Sequence, residues 1–157
     1  MSRITYVTEQ GLEKLKRELD RLINVERPSI SKLIGEAIEK GDISENAEYD
    51  AAKDAQGMLE AKIVELRTKI ANARVLDKSK ITTSKVQILN RVKIKNKKTN
   101  VVMEYLIVPE SEANLKEGKI AVNTPIARGL IGKKVGETVD IKVPSGIIPF
   151  EIIQISL

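Results

Sequence analysis

The chain has 157 residues and a formal net charge of +5, with 27 Lys and Arg side chains against 22 Asp and Glu. It has no Cys and no His, which excludes thiol nucleophiles, Cys/His metal sites and histidine general bases. With one Phe, three Tyr and no Trp, it has little ring surface for stacking on bases or sugars. No apolar run approaches a membrane span and the N-terminus has no signal-peptide pattern, so we expect a cytoplasmic protein with no membrane contact.

The positive charge lies in the second half of the chain. Residues 1–78 hold 14 basic and 15 acidic side chains, whereas residues 79–157 hold 13 basic and 7 acidic. A basic half of this kind is suited to nucleic acid or to an acidic protein surface. A solvated basic surface without a partner is the alternative, and composition leaves both open.

The first long segment has the pattern of an amphipathic helix. Thr8 is a predicted N-cap, and apolar side chains then recur at helical spacing over residues 12–22, interleaved with charges. Pro28 interrupts the stripe, so we expect a kink or a break with a restart around residues 24–28. Lys40-Gly41 is typical of a helix end.

A second helical pattern runs from about residue 45 to residue 74 and pairs with the first around a hinge near Ser44. The predicted facing pairs are Ala37 with Ala51, Leu33 with Ala55, Ile30 with Met58, Leu22 with Leu66, Leu19 with Ile70, Leu15 with Ala73 and Leu12 with Leu76, plus the charged pair Glu26 with Lys62. We therefore predict an antiparallel α-helical coiled-coil hairpin over residues 1–77, with an acidic tip at residues 41–49.

Beyond a polar linker at residues 78–85 the apolar period changes from helical to two, which is typical of strands. The predicted strands cover residues 92–95, 101–108, 119–122, 138–143 and 150–155, with a capped turn or short helix within residues 123–132. We therefore predict an antiparallel β domain with a short helix over residues 86–157. The whole chain is then an α+β protein of two domains.

Two carboxylates stand out at the tip, because Asp42 and Glu45 are three residues apart at a helix start. One interpretation is a capping box, with Asp42 as N-cap and Glu45 reaching back to its amide. The other is that both acids share a metal ion, since Mg²⁺ is held by one or two carboxylates with water and phosphate oxygens. An exposed pair would bind such an ion only weakly unless another molecule's active centre supplied more ligands.

Two segments carry a family resemblance. Residues 41–53, GDISENAEYDAAK, closely resemble the tip signature of the bacterial Gre transcript cleavage factors, on the GreA-like side of that family. Residues 125–133, PIARGLIGK, resemble its C-terminal signature. The likeness covers essentially the whole chain, with both motifs in the expected order.

This resemblance implies an FKBP-like C-terminal domain that docks at the rim of the secondary channel of RNA polymerase while the hairpin passes down the channel. The acids matching Asp42 and Glu45 would help to hold a second Mg²⁺, shared with the polymerase and not bound by the free protein. They would also orient the water that cuts backtracked RNA, as in two-metal hydrolysis. We thus expect a monomeric accessory factor rather than an enzyme, with the polymerase and the RNA 3′ end as partners.

The resemblance also assigns supporting roles. Tip contacts to the polymerase or the RNA are expected from Ser44, Asn46, Glu48 and Tyr49. Lys53 matches a basic position that faces RNA, although a solvated lysine is the alternative. Ile38 stands where the family commonly has an arginine, so we expect a weaker grip on extruded RNA.

In the second signature, Thr124 replaces the usual serine. One interpretation is that the apolar residues of this segment close the edge of the β domain. The other is docking onto the polymerase, with the expected contacts Pro125, Ile126, Arg128, Gly129, Leu130 and Ile131.

The sequence also raises three other functions. A channel-binding module that inhibits or modulates transcription without cleavage is the main alternative, but the intact Asp42–Glu45 spacing favours cleavage. A prolyl isomerase needs an aromatic pocket, and Tyr105 and Phe150 are too few to line one. A free nuclease is disfavoured by the missing cleft and the missing further metal ligands.

Overall fold

The computed structural model describes residues 4–157, so residues 1–3 of the predicted first domain lie outside the described part. The chain forms two compact units that divide between Val75 and Leu76. The first unit is mainly helical and the second is built around a β-sheet, which confirms the α+β prediction. Across residues 4–157, no helix is long and apolar enough to cross a membrane.

The first unit is a helical hairpin closed at its base by two short strands. Its elements in order are β1 (Thr5–Val7), α1 (Glu9–Arg21), a π-helical segment (Leu22–Glu26), α2 (Arg27–Glu39), a 3-10 turn (Ile43–Glu45), α3 (Ala47–Asn72) and β2 (Ala73–Val75). Thr8 caps α1 as predicted, because its hydroxyl accepts the Gly11 N–H at 3.0 Å. β1 and β2 pair in parallel, with Thr5 opposite Ala73.

Pro28 does not break the first arm. The backbone stays helical from α1 through the π-helical segment into α2, and the Arg27 N–H bonds the Leu22 carbonyl, five residues back. Proline lacks an N–H and its ring clashes with the carbonyl four residues back in an α-helix. A wider π turn just before Pro28 provides room for the ring, so the predicted interruption is a local widening within a continuous arm.

The hairpin interior is a narrow apolar stripe. Its buried members are Leu22, Leu59, Ile63 and Leu66, and the partly buried side chains packed against them are Leu15, Leu19, Ile23 and Ile30. The predicted hairpin is therefore confirmed, but its register near the tip is wrong. Ala51, Leu33 and Met58 are exposed, and on α3 the buried side chains are Ala52 and Leu59 instead. One residue is about 100° of helix rotation, so a shift of one position turns a side chain out of the stripe.

The predicted ion pair between Glu26 and Lys62 does not form, because each of these side chains has a different partner. Glu26 accepts a bond from Arg21 at 2.7 Å instead, and Lys62 lies 4.0 Å from Glu65 on its own helix. In the middle of the hairpin, Arg27 and Glu60 instead join the two arms through two parallel bonds of 2.9 Å. Hydrogen bonds from Arg27 lower the pKa of the Glu60 carboxyl.

The second unit is a five-stranded sheet with one short helix. Its main elements are β3 (Arg91–Asn96), β4 (Val102–Val108), β5 (Lys119–Ala121), α4 (Pro125–Leu130), β6 (Thr138–Val143) and β7 (Gly146–Ser156). The strand order is β5-β4-β3-β7-β6. Neighbouring strands are antiparallel as predicted, except that β4 and β5 are parallel. The buried core residues are Val86, Val92, Ile94, Ile107, Ile120, Ala127, Leu130, Ile141, Phe150, Ile152 and Ile155.

Part of the predicted linker is attached to this sheet through Asn90, which has 0% exposure. The Asn90 amide donates to the carbonyls of Thr82 at 3.0 Å and Ser156 at 3.3 Å. Its side-chain oxygen accepts the Gln87 N–H at 2.7 Å. These bonds satisfy the buried amide and connect Thr82 and Gln87 to Ser156 at the end of β7.

Replacing Ile63 by Ala is expected to destabilise the hairpin by about 2–5 kcal/mol, because the side chain is fully buried and the narrow stripe has few neighbours to refill the cavity. Urea unfolding followed by helical circular dichroism measures the change. Val64→Ala is the matched control, since Val64 is exposed on the same helix turn. Equal losses in both variants would contradict the assigned stripe.

Candidate functional site at the hairpin tip

The tip begins where α2 ends. The N–H of Lys40 bonds the Ala37 carbonyl at 3.2 Å, and the chain then leaves the helix at Gly41, whose φ is +149°. Glycine adopts this φ without the steric cost that a Cβ would bring. The predicted helix end at residues 40–41 is therefore confirmed.

Asp42 organises the turn that follows. Its Oδ1 accepts both the backbone N–H and the hydroxyl of Ser44, each at 2.9 Å. These two bonds hold the pKa of the Asp42 carboxyl below its usual value, and the bond from the Ser44 backbone has the larger effect. The side chain is exposed and therefore ionised at neutral pH.

Glu45 ends the same 3-10 turn and is also exposed. Its carboxylate makes no hydrogen bond or ion pair with any residue of the described range 4–157. The capping-box interpretation is therefore half right: Asp42 is a cap, but Glu45 does not reach back to its amide. The tip therefore presents two carboxylates: Asp42, which is bonded to Ser44, and Glu45, which has no partner among residues 4–157.

The N-cap of α3 is Asn46, whereas the capping-box interpretation places Asp42 in that role. Its Oδ1 accepts the Tyr49 N–H at 3.1 Å, and its Nδ2 donates to the Ala37 carbonyl at 2.6 Å. The sequence does contain a pattern that predicts this cap, because an Asn directly precedes a helix whose first turn holds the acidic residues Glu48 and Asp50. Asn46 thus joins the end of α2 to the start of α3.

Two basic side chains flank the tip differently. Lys40 pairs with Glu48 at 2.9 Å, which raises the pKa of Lys40. Both side chains are highly exposed, so this pair contributes little to stability. Lys53 donates to the Gln56 side chain at 2.8 Å and has no ion pair among residues 4–157. Ile38, near the end of α2, is 47% exposed.

The two tip carboxylates suit part of a Mg²⁺ ligand set. Among residues 4–157, no group of three or more His, Cys, Asp or Glu side chains could hold an ion. Asp42 and Glu45 lie at the two ends of one exposed turn, and two carboxylates are a usual protein share of Mg²⁺ ligands. The chemistry of this pair therefore fits an ion whose remaining ligands come from another molecule.

The second signature segment forms α4, with Thr124 as its cap. The Thr124 hydroxyl accepts the Ala127 N–H at 3.3 Å and donates to the Ala121 carbonyl at 2.8 Å. Leu130 has 0% exposure and belongs to the core, so its expected place on a docking surface is wrong. An amphipathic helix of six residues turns its apolar side inward because that side can be buried.

The other expected docking residues divide between the core side and the surface. Ile126 packs partly against the core. A Cβ built on Gly129 would lie 2.9 Å from Cγ1 of Ile141, so glycine permits the close approach of α4 to β6. Pro125, Arg128 and Ile131 are exposed. Of the six expected contacts, these three are therefore open to solvent, while Leu130 packs in the core.

Comparisons with known proteins cover the whole chain. Residues 5–75 match the family model described as "Transcription elongation factor, N-terminal", and residues 81–157 match the one described as "Transcription elongation factor, GreA/GreB, C-term". A protein of Christiangramia forsetii named transcription elongation factor GreA is 55% identical over 155 residues, which cover 99% of this chain and 98% of that protein. A Flavobacterium johnsoniae protein of the same name is 53% identical over 99% of each chain.

A crystal structure of the GreA factor homolog 1 (Gfh1) protein of Thermus thermophilus is 23% identical and covers 99% of this chain and 100% of that chain, with a TM-score of 0.45. The family assignment rests on the matches of sequence, which span both units and include the residues of the tip. The chain belongs to the GreA/GreB family of transcription elongation factors.

Proposed function

We propose that this protein acts on RNA polymerase as an accessory elongation factor that stimulates the polymerase's own cleavage of backtracked RNA, so that stalled complexes resume elongation. The observation that carries the proposal is the exposed pair Asp42 and Glu45 on the turn that closes a long helical hairpin. The family membership supports the same function.

The shape of the first unit favours insertion over independent catalysis. α3 alone has 26 residues, which at 1.5 Å per residue is about 39 Å of helix. A hairpin of this length can carry its tip into a narrow channel, such as the secondary channel of the polymerase. The interior of the hairpin is filled by apolar side chains, so the polar groups of this unit that can take part in chemistry lie on its surface.

The two acids would have different tasks. Asp42 is held ionised and oriented by Ser44, so it is suited to direct contact with a Mg²⁺ ion that is also bound by the polymerase. Glu45 has an unoccupied carboxylate that can accept a hydrogen bond from the attacking water. A Mg²⁺ ion held there would supply stabilisation of the negative charge that develops in the cleavage reaction.

The surroundings of the tip would contact RNA only lightly. Lys53 is exposed and its charge is not neutralised by an ion pair within the described chain, so it can face the RNA backbone. Ile38 supplies no charge on the opposite arm. Ser44 and Asn46 hold the turn, while Glu48 and Tyr49 complete the surface offered to the polymerase.

The alternative of a channel-binding module without cleavage is not favoured. The relatives at 55% and 53% identity are named transcription elongation factor GreA. The tip of this chain also keeps both carboxylates exposed, which a purely obstructive module does not require.

Asp42→Asn or Glu45→Gln is expected to lower the rate of stimulated cleavage by about 10- to 100-fold. Loss of one ionised ligand or acceptor removes about 1.5–3 kcal/mol, and each 1.4 kcal/mol is about tenfold in rate. Cleavage of a stalled elongation complex is measured at saturating factor, with polymerase affinity measured separately. Asp50→Asn is the matched control, an exposed acid in the first turn of α3. Loss of affinity together with cleavage would support a purely capping role.

Ile38→Arg is expected to increase crosslinking of the factor to the extruded RNA in a backtracked complex, because it adds a positive charge to the arm opposite Lys53. Leu33→Arg provides the control, since Leu33 is similarly exposed on α2 but lies farther from the tip. Unchanged crosslinking with Ile38→Arg would contradict the inference that Ile38 weakens the contact with extruded RNA.

The purified factor by itself is expected to leave RNA uncut at any Mg²⁺ concentration, because its two carboxylates lack further ligands in the described chain. Incubation of labelled RNA with the factor, followed by gel analysis, measures this. Metal-dependent cutting that Asp42→Asn abolishes would instead indicate a free nuclease.

A further inference from the structure

The packing of the helical hairpin changes along its length. The apolar stripe between the arms ends at Ile30 on the first arm and at Leu59 on the second. Residues 31–58, here called the outer segment, lie beyond this level and carry the tip. The buried side chains on the helices of the outer segment are those of Ala37 and Ala52. A buried alanine removes little apolar surface from water, so packing does little to hold this segment together.

Few polar contacts join the two arms in the outer segment. The ion pair of Arg27 with Glu60 lies just below it. The next contacts toward the tip are the bond from the Asn46 amide to the Ala37 carbonyl, at 2.6 Å, and an exposed ion pair close to the turn. No hydrogen bond or ion pair joins residues 28–36 to residues 49–59, all of which the structure describes. The arms are therefore bonded at both ends of this stretch and not within it.

Two glycines weaken the helices of the outer segment. Gly35 lies inside α2 and Gly57 lies inside α3. A Cβ built on either glycine would meet no atom within 4 Å, so close packing inside this chain does not require glycine at these positions. Glycine in a helix interior is less favourable than alanine, because its backbone loses more conformational freedom on folding. Both arms are thus weakened without a compensating contact at these positions.

The helical runs of the outer segment are also short. They comprise residues 31–39 of α2 and residues 47–58 of α3. Isolated helices shorter than about 12–15 residues are marginal in water, since most helical stability in proteins comes from packing of an apolar face. Leu33 and Met58 in these runs are 51% and 75% exposed and add little such packing. These are the features of a region that opens locally at low free-energy cost.

We infer that the outer segment opens and closes while the inner part of the hairpin stays folded, and that RNA polymerase orders it on binding. The second half of this inference rests on the proposed function, which brings the tip to the polymerase. Asp42 and Glu45 lie in the outer segment, so their relative positions are fixed only in the closed form. Affinity for the partner is then reduced in proportion to the fraction of free chains that are open.

The first test is amide hydrogen exchange of the free full chain, followed by mass spectrometry and corrected for intrinsic rates. Amides of residues 31–36 and 51–58 are expected to exchange at least about 100-fold faster than those of residues 61–67. The double variant Gly35→Ala, Gly57→Ala is expected to slow exchange in the outer segment by about 10- to 30-fold, because alanine favours the helix at both positions. Exchange of residues 61–67 is expected to stay the same.

The matched control is Thr68→Ala, which also raises helix propensity in α3 but at an exposed position of the inner part. It is expected to leave exchange in the outer segment unchanged. Met58→Gly provides the opposite change, at a side chain that makes little contact with its surroundings. It is expected to speed exchange in the outer segment by about fivefold.

The second test measures the equilibrium affinity of each chain for purified RNA polymerase, without cleavage. The double glycine variant is expected to bind about threefold more tightly, because fewer of its free chains are open. Equal protection along the whole hairpin, or exchange that the glycine replacements leave unchanged, would overturn the local opening. Unchanged or weaker binding of the double variant would overturn the ordering by polymerase. A chain that binds as expected but fails to stimulate cleavage would contradict only the proposed function.

Discussion

The side-chain amide of Asn46 is the contact on which the geometry of the tip depends. A helix leaves carbonyls without partners at its C-terminal end and N–H groups without partners at its N-terminal end. An amide is a neutral side chain that offers both a donor and an acceptor, and Asn46 uses one on each arm, at Ala37 and at Tyr49. The turn between Asp42 and Glu45 is held between these two bonds. An aspartate at this position would keep the cap and lose the donor.

Stability and proposed function are separated along the hairpin. The arms are held by the buried stripe around Ile63 and by the two-bond pair of Arg27 with Glu60. The acids of the tip contribute little to that packing, because they lie on an exposed turn. The hairpin can therefore carry several carboxylates at its tip without losing stability, since exposed carboxylates in water repel one another only weakly.

The second unit shows the same division on a smaller scale. α4 turns Leu130 and Ala127 into the core and approaches β6 closely through Gly129, which closes the sheet. The same six residues leave Arg128 outside, next to the exposed segment that begins at Ile131. A short helix can therefore fill the core and shape a surface at once, because its two sides have different neighbours.

The sequence alone determined the larger elements. Apolar spacing predicted both arms of the hairpin and the strands of the second unit, and the Asp42–Glu45 spacing identified the acidic tip. These features follow from local periodicity and local capping chemistry, which residues close in sequence carry. The helix cap at Thr8 and the helix end at Gly41 are confirmed for the same reason.

Only the tertiary structure decided the contacts between distant residues. The apolar spacing along each arm does not by itself specify the register of one arm against the other, so the choice of Arg27 with Glu60 over Glu26 with Lys62 depended on how both arms pack. Three further features depended on the tertiary structure in the same way. They are the burial of Leu130, the parallel pairing of β4 with β5 and the place of Lys85 beside Lys133. Each is a proximity between segments remote in the chain, and a periodic pattern carries no information about which remote segment it will meet.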